Sequence, residues 1–175
     1  MDFEILQTGR LYLRKLTGDQ WQEILERSSD LEVIDFLGVA REDLAKERKK
    51  TEKGFETHNK SLLIFQLVDK QSGQIIGWCG YHTWYLDHAR AEIGYGLFDD
   101  AFKRKGLMTE AMRAVIDYGF DAMQLNRIEA FVGTQNTASL QTLAKFGFVR
   151  EGLLKSHYFK NGVYEDSLVF GLLRN

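Results

Sequence analysis

The sequence predicts a mixed α/β domain, and three observations carry that prediction. Strand-type runs and helix-type runs interleave from Leu11 to Leu172, the order of an α/β chain. Ala91–Ala111 (AEIGYGLFDDAFKRKGLMTEA) reads as a glycine-bearing strand, a short acidic break, a basic loop and the start of an amphipathic helix. Asn161-Gly162, set between two strand-like runs, is a strong hairpin signal. At 175 residues the expectation is one domain over residues 1–175, large enough to bury a sizeable core.

Leu11, Leu13 and Leu16 among polar neighbours suggest a first strand. Thr17 with Gln20 three residues on resembles a capping box, opening a helix through Trp21, Ile24 and Leu25. Asp30–Lys60 reads as helical and heavily charged, with a breaker at Gly54. Ser61–Asp69 is a short apolar strand, Lys70–Gly73 a turn, and Gln74–Tyr85 a β-rich stretch with four aromatics. Arg90–Phe98 is the next strand. Gly106–Met123 is the clearest helix, with Met108, Met112, Val115, Ile116, Gly119 and Met123 on one broad face. Arg127–Val132 is a strand, and Ala138–Lys145 a helix stopped by Gly147 in the C′ position. Phe148–Phe159 and Val163–Leu172 are the two arms of the hairpin.

Composition narrows the function. A net charge of -2 argues against a general nucleic-acid binder and draws attention to the local Lys103-Arg104-Lys105 cluster. The one cysteine, Cys79, allows no intramolecular disulfide and fits a reducing compartment. The first residues lack the basic start and long apolar run of a signal peptide, and no run is long enough to cross a bilayer. The expectation is a cytoplasmic protein with no membrane partner. His58, His82, His88 and His157 show no metal-ligand spacing, so no metal is expected.

The strand–loop–helix unit points to an anion, because a helix N-terminus offers backbone N–H groups and Lys103, Arg104 and Lys105 lead into it. Three segments then carry a likeness: AEIGYGL at Ala91–Leu97, KRKGLMTEAM at Lys103–Met112, and NTASLQTLAKFGFVREG at Asn136–Gly152. On these, Leu11–Leu173 resembles the GNAT superfamily of N-acetyltransferases, and within it the RimJ/RimL-like branch. The superfamily's phosphate loop, Q/R-x-x-G-x-G/A, falls on Lys103–Met108, with Lys103 where Gln or Arg is usual and Met108 where a small residue is usual. The resemblance implies a mixed, mainly antiparallel sheet flanked by helices. It implies that Arg90–Phe98 and Arg127–Val132 splay apart at the acetyl-coenzyme A site. The expected reaction is acetyl transfer from acetyl-coenzyme A to a primary amine.

The resemblance assigns cofactor contacts to Phe98, Lys103, Arg104, Lys105, Gly106, Leu107, Met108 and Thr109, with Asn136 and Ser139. Asn136 would lie on the pantetheine, and Ser139 near the reacting sulfur, where it could protonate the departing thiolate. Helix capping explains Asn136 equally well. Tyr158 is a second candidate for the leaving-group proton, against the plainer reading of a strand aromatic packing across the hairpin. Glu92, Gly94, Gly96 and Phe98 share one strand face. The two glycines leave room there for a ligand or for close packing. Glu92 is the first candidate for a general base, with Glu165 and Asp166 as alternatives. Trp78, Tyr81, Trp84 and Tyr85 either line an acceptor pocket or belong to the core.

A peptide α-amine, with a pKa of about 7.7–8.0, needs less help from a base than a lysine amine at about 10.4. The likeness suggests a protein N-terminus, of ribosomal-protein type, as acceptor. The alternatives are a small-molecule amine such as a polyamine, with Glu42, Asp43 and Glu47 as an acidic cluster, or a non-catalytic acyl-coenzyme A-binding module. No nucleic-acid partner is expected, and a homodimer is allowed.

Overall fold

The computed structural model describes residues 2–51 and 60–174. The described strands are β1 (Ile5–Gln7), β2 (Leu11–Thr17), β3 (Lys60–Asp69), β4 (Ile75–Tyr85), β5 (Arg90–Leu97), β6 (Arg127–Gly133), β7 (Val149–Lys160) and β8 (Val163–Leu173). They form one sheet in the order β1-β2-β3-β4-β5-β6-β8-β7. Helices α1 (Gly18–Arg27), α2 (Asp30–Leu37), α3 (Leu44–Thr51), α4 (Leu107–Asp121) and α5 (Thr137–Lys145) pack around it. β1 has no counterpart in the sequence reading, being a three-residue strand that pairs only with β2.

The sheet serves two apolar clusters. Leu11 and Leu13 of β2 point into the larger, with Phe65, Cys79, Tyr81, Ile93, Met112 and Val115. Leu16 falls out of their alternation and joins the smaller cluster, with Ile24, Leu25, Val33 and Leu37. Both faces of β2 are therefore core, and each face takes its own helices. α4 crosses β4 at Gly119, where a Cβ would lie 2.1 Å from the Tyr81 hydroxyl. That hydroxyl donates to the Val115 carbonyl at 2.8 Å, which settles Tyr81 as core. Cys79 is fully buried beside it, and burial pushes its thiol pKa well up.

The charged stretch after Asp30 is not one helix. It divides into α2, stopped by Gly38 at φ 67°, a 3-10 turn at Arg41–Asp43, and α3. Arg48 of α3 reaches back to the Leu25 and Ser28 carbonyls and, at 2.8 Å, to Asp30, tying α3 to the α1–α2 junction. The expected breaker at Gly54 lies outside the described residues.

All neighbouring strands are antiparallel except β5 and β6. These run parallel and pair only at Arg90↔Arg127, Ala91↔Ile128 and Glu92↔Glu129. Beyond that point β5 stays with β4 and β6 stays with β8, so the two diverge, as expected of this pair. A charge network holds the joined end. Glu129 accepts from Arg90 at 2.7 Å and from Arg127 at 2.8 Å, and Arg127 also pairs with Glu151 on β7. Beyond Glu92, one edge of β5 has lost its partner strand, and its backbone polar groups face a gap.

Candidate active site

A cleft of about 810 Å³ opens at that gap, between β5 and the N-terminal ends of α4 and α5. The sequence-predicted residues Lys103, Arg104, Gly106, Leu107, Met108, Thr109, Asn136 and Ser139 all line it. Two others stand apart. Lys105 belongs to the same loop but is not in the lining, its ammonium lying 5.9 Å from the Phe102 ring centre. Phe98 is half exposed outside the cleft, and its N–H donates to the Ile76 carbonyl at 2.9 Å.

The loop is built to leave donors free. Arg104 (φ 61°) and Gly106 (φ 76°) both adopt the left-handed backbone, which turns the chain sharply into α4. Gly106 is the N-cap and makes no side-chain cap, so the N–H groups of the first turn of α4 open towards the cleft. Met108 turns its bulk to the larger core while lining the cleft, which reconciles it with a position usually small. Lys103 pairs with Asp100, so part of its charge is already answered.

Three residues at this loop escaped the sequence reading. Arg10 donates to the Lys105 carbonyl at 2.8 Å and to Glu110 at 2.7 Å, and its own N–H meets Glu110 at 2.7 Å. The Thr8 hydroxyl donates to the same carboxylate at 2.6 Å. Burial opposes the charge of Glu110, but these donors outweigh it and hold the pKa below the ordinary value. The β1–β2 turn thus clamps both the loop and the first turn of α4. No local signal in the sequence joins positions about a hundred residues apart.

Asn136 caps α5, its Oδ1 accepting the Ser139 N–H at 3.1 Å, so capping is established. Its amide NH₂ remains available to the cleft. Next to Ser139 in the cleft lining is Tyr95 of β5, whose hydroxyl is buried. Burial raises its pKa, while the nearby Ser139 hydroxyl draws it back, yet the two fall short of hydrogen-bond geometry.

A second cleft, also about 810 Å³, adjoins the first at Asn136. The end of β6 and the hairpin β7–β8 line it with Tyr158, Lys160, Tyr164, Glu165, Asp166 and Ser167. Three sequence candidates, Tyr158, Glu165 and Asp166, therefore converge. Asp166 accepts the Ser156 N–H at 2.8 Å. Tyr158 is 46% exposed, and both burial and the charge of Glu92 raise its pKa.

Glu92 does not line either cleft. It sits 3.3 Å from Nε2 of His82, and His82 Nδ1 contacts the Glu92 carbonyl at 3.0 Å. Burial pushes the imidazole towards neutrality, but the bonds and charge of Glu92 prevail and raise its pKa. The glycine face is also occupied. The Trp78 indole lies across it, so that a Cβ on Gly94 would meet the ring at 2.8 Å and one on Gly96 at 3.6 Å. Close packing explains Gly94, whereas Gly96 has ordinary clearance from the indole and lines the first cleft. It is the edge of β5 that faces the gap.

Comparison with known proteins decides the family. Residues 10–149 match the acetyltransferase (GNAT) domain. The chain belongs to the GNAT acetyltransferase family. The uncharacterized N-acetyltransferase YoaA of Bacillus subtilis strain 168 is 32% identical over 174 residues, covering 98% of each chain. Among solved structures, a ribosomal-protein-S5-alanine acetyltransferase from Vibrio fischeri superposes with a TM-score of 0.68 at 23% identity, covering 97% of this chain and 96% of that one. A spermidine/spermine N-acetyltransferase from Vibrio cholerae does so at 0.67 and 23%, covering 94% and 92%. These last two likenesses bear on the fold.

The protein is thus an N-acetyltransferase of the GNAT family, whose members take acetyl from acetyl-coenzyme A. Its first cleft fits such a donor. It offers uncapped helical N–H groups and cationic side chains for phosphates, an unpaired strand edge for amides, and two hydroxyls at its inner wall. Among the described residues there is no cluster of side chains suited to a metal ion, and no helix long and apolar enough to cross a membrane.

Proposed function

We propose that this enzyme acetylates the α-amine of a protein N-terminus, in the manner of the RimJ/RimL-like branch, as a single cytoplasmic domain. The second cleft is the observation that carries this reading. It joins the first at Asn136, it is acidic and aromatic, and the exposed rings of Phe159 and Tyr164, 4.9 Å apart, extend it along the hairpin. An amine carried on a polypeptide has further chain to lay against that rim, whereas a small amine does not.

Acetyl-coenzyme A supplies the activated acetyl group when bound in the first cleft. The start of α4 and the Lys103–Thr109 loop hold its phosphates, and the amide of Asn136 holds its arm. In the second cleft Glu165 and Asp166 attract the incoming ammonium. Asp166 is engaged by Ser156, and Glu92 by His82, which leaves Glu165 to take the proton that the amine sheds. A new C–N bond forms as the C–S bond breaks, and the bond pair leaves on sulfur. N–H groups on the free edge of β5 stabilise the negative carbonyl oxygen, and Ser139 donates towards the departing sulfur.

The test uses acetyl-labelled acetyl-coenzyme A with the purified enzyme and a lysate of cells lacking it. Label at the N-terminus of one or a few proteins is the expected result. Label confined to small amines overturns the proposal in favour of a polyamine-type acceptor. No enzyme-dependent label overturns it in favour of an acyl-coenzyme A-binding module.

A further inference from the structure

Two buried side-chain hydroxyls among the described residues have no hydrogen-bond partner, those of Tyr95 and Ser167. Burying a hydroxyl without a partner is costly, so each calls for an explanation. Ser167 lines the second cleft, where the acceptor itself would satisfy it. Tyr95 is more informative, because its position narrows the choice of partner. It stands on the part of β5 that β6 has left, lines the first cleft, and has its hydroxyl beside that of Ser139. Its ring packs against the larger core, so the hydroxyl has little freedom to search elsewhere. Opposite it on β4 lies the buried thiol of Cys79, a poor partner.

We propose that Tyr95 is a positioning residue that acts through Ser139, donating its hydroxyl proton to Ser139 Oγ so that the single Ser139 proton is aimed at the sulfur leaving group. Ser139 has one proton and two lone pairs, and when its proton turns to sulfur a lone pair turns to Tyr95. The phenol makes no hydrogen bond to any other acceptor among the described residues. Burial keeps it protonated at neutral pH, the form in which it can donate. The transfer stays balanced. The C–S bond breaks with its pair on sulfur, Ser139 keeps its proton while donating a hydrogen bond to the thiolate, and the proton shed by the acceptor nitrogen passes to Glu165. Tyr95 keeps its own proton throughout. This inference rests on the acyl-donor half of the proposed function and is independent of which amine is acetylated.

The test needs no acceptor. Coenzyme A is bound to the wild type, Tyr95→Phe, Ser139→Ala and the double variant, and its thiolate is titrated by ultraviolet absorbance. Tyr95→Phe keeps the packed ring, and because it removes an unsatisfied hydroxyl its melting temperature is expected to equal or exceed that of the wild type. In the wild type the bound thiol is expected to ionise below the pH of free coenzyme A. Tyr95→Phe is expected to raise that midpoint by about one unit or less, a neutral hydrogen bond's worth. The double variant is expected to match Ser139→Ala. Three results overturn the proposal: a Tyr95→Phe midpoint equal to wild type, a double variant shifted beyond Ser139→Ala, or a bound wild-type thiol that titrates as if free. A failed search for labelled N-termini with the titration pattern intact removes the acceptor assignment alone. Failure of coenzyme A to bind removes both.

Discussion

α1 and α2, which serve the smaller cluster, and α4, which serves the larger, begin in opposite ways. α1 and α2 satisfy their own first turns. Thr17 accepts from the Gln20 N–H at 3.3 Å while Gln20 accepts from the Thr17 N–H at 3.0 Å, and Ser29 and Glu32 repeat the exchange. α4 starts at a glycine with no side-chain cap, behind a basic loop and in front of a cleft. Even its first-turn acid, Glu110, turns towards Arg10 and Thr8. A helix that closes its own donors can be placed anywhere. One that leaves them open to a cleft is suited to hold an anion, and here the fold supplies an open site for one.

The largest test of that contrast is Gly106→Asp, which puts a carboxylate where phosphate is expected. Acetyl-coenzyme A affinity should fall about 100-fold by calorimetry, the scale of one or two charge-assisted bonds lost. An unchanged affinity would remove the start of α4 from the donor site. Asn136→Ser comes next, because serine caps as well as asparagine but lacks the amide donor. The melting temperature should hold while affinity drops up to about tenfold. Equal loss of both would reduce Asn136 to a cap.

Glu110→Gln should have a smaller effect on affinity, about three-fold, by loosening the Arg10 clamp. Its clearer mark is in pH. The native pKa of Glu110 lies below its ordinary 4.5, so its contribution to stability is complete above that value and fades as pH falls through the native one. Urea midpoints of wild type and variant should therefore converge on acidification below pH 4.5. Thr17→Ala closes the series. It should cost about 1 kcal/mol of stability and leave acetyl-coenzyme A affinity untouched. A change in affinity there would erase the distinction between the two kinds of helix start.

Short-range chemistry was legible along the chain. The Thr17–Gln20 box, the Asn161-Gly162 turn, the face of α4 and the stop at Gly147 each depend on residues within one or two turns, and each appears in the structure. The diverging strands came from resemblance and also appear. What stayed hidden depends on distance. The clamp from Arg10 to Glu110 is invisible until β2 and α4 are neighbours. The Trp78 indole over Gly94 could not be read from either segment, since only the β4–β5 register brings them together. Glu92 illustrates the same limit, because its alternation pattern was right while its partner, His82, comes from the preceding strand, β4. The described part of Asp30–Lys60 is helical as read, but its division at Gly38 was not seen, because a left-handed stop outweighs the helix-forming residues on either side.

The burial of Cys79 has a practical consequence. The only sulfhydryl in the chain is sealed beneath the sheet with its ionisation suppressed, out of reach of disulfide-exchange reagents while the fold holds. In a colorimetric thiol assay the protein should be silent, and the colour that develops counts turnovers. The same reagent in rising denaturant would report the moment at which the sheet opens.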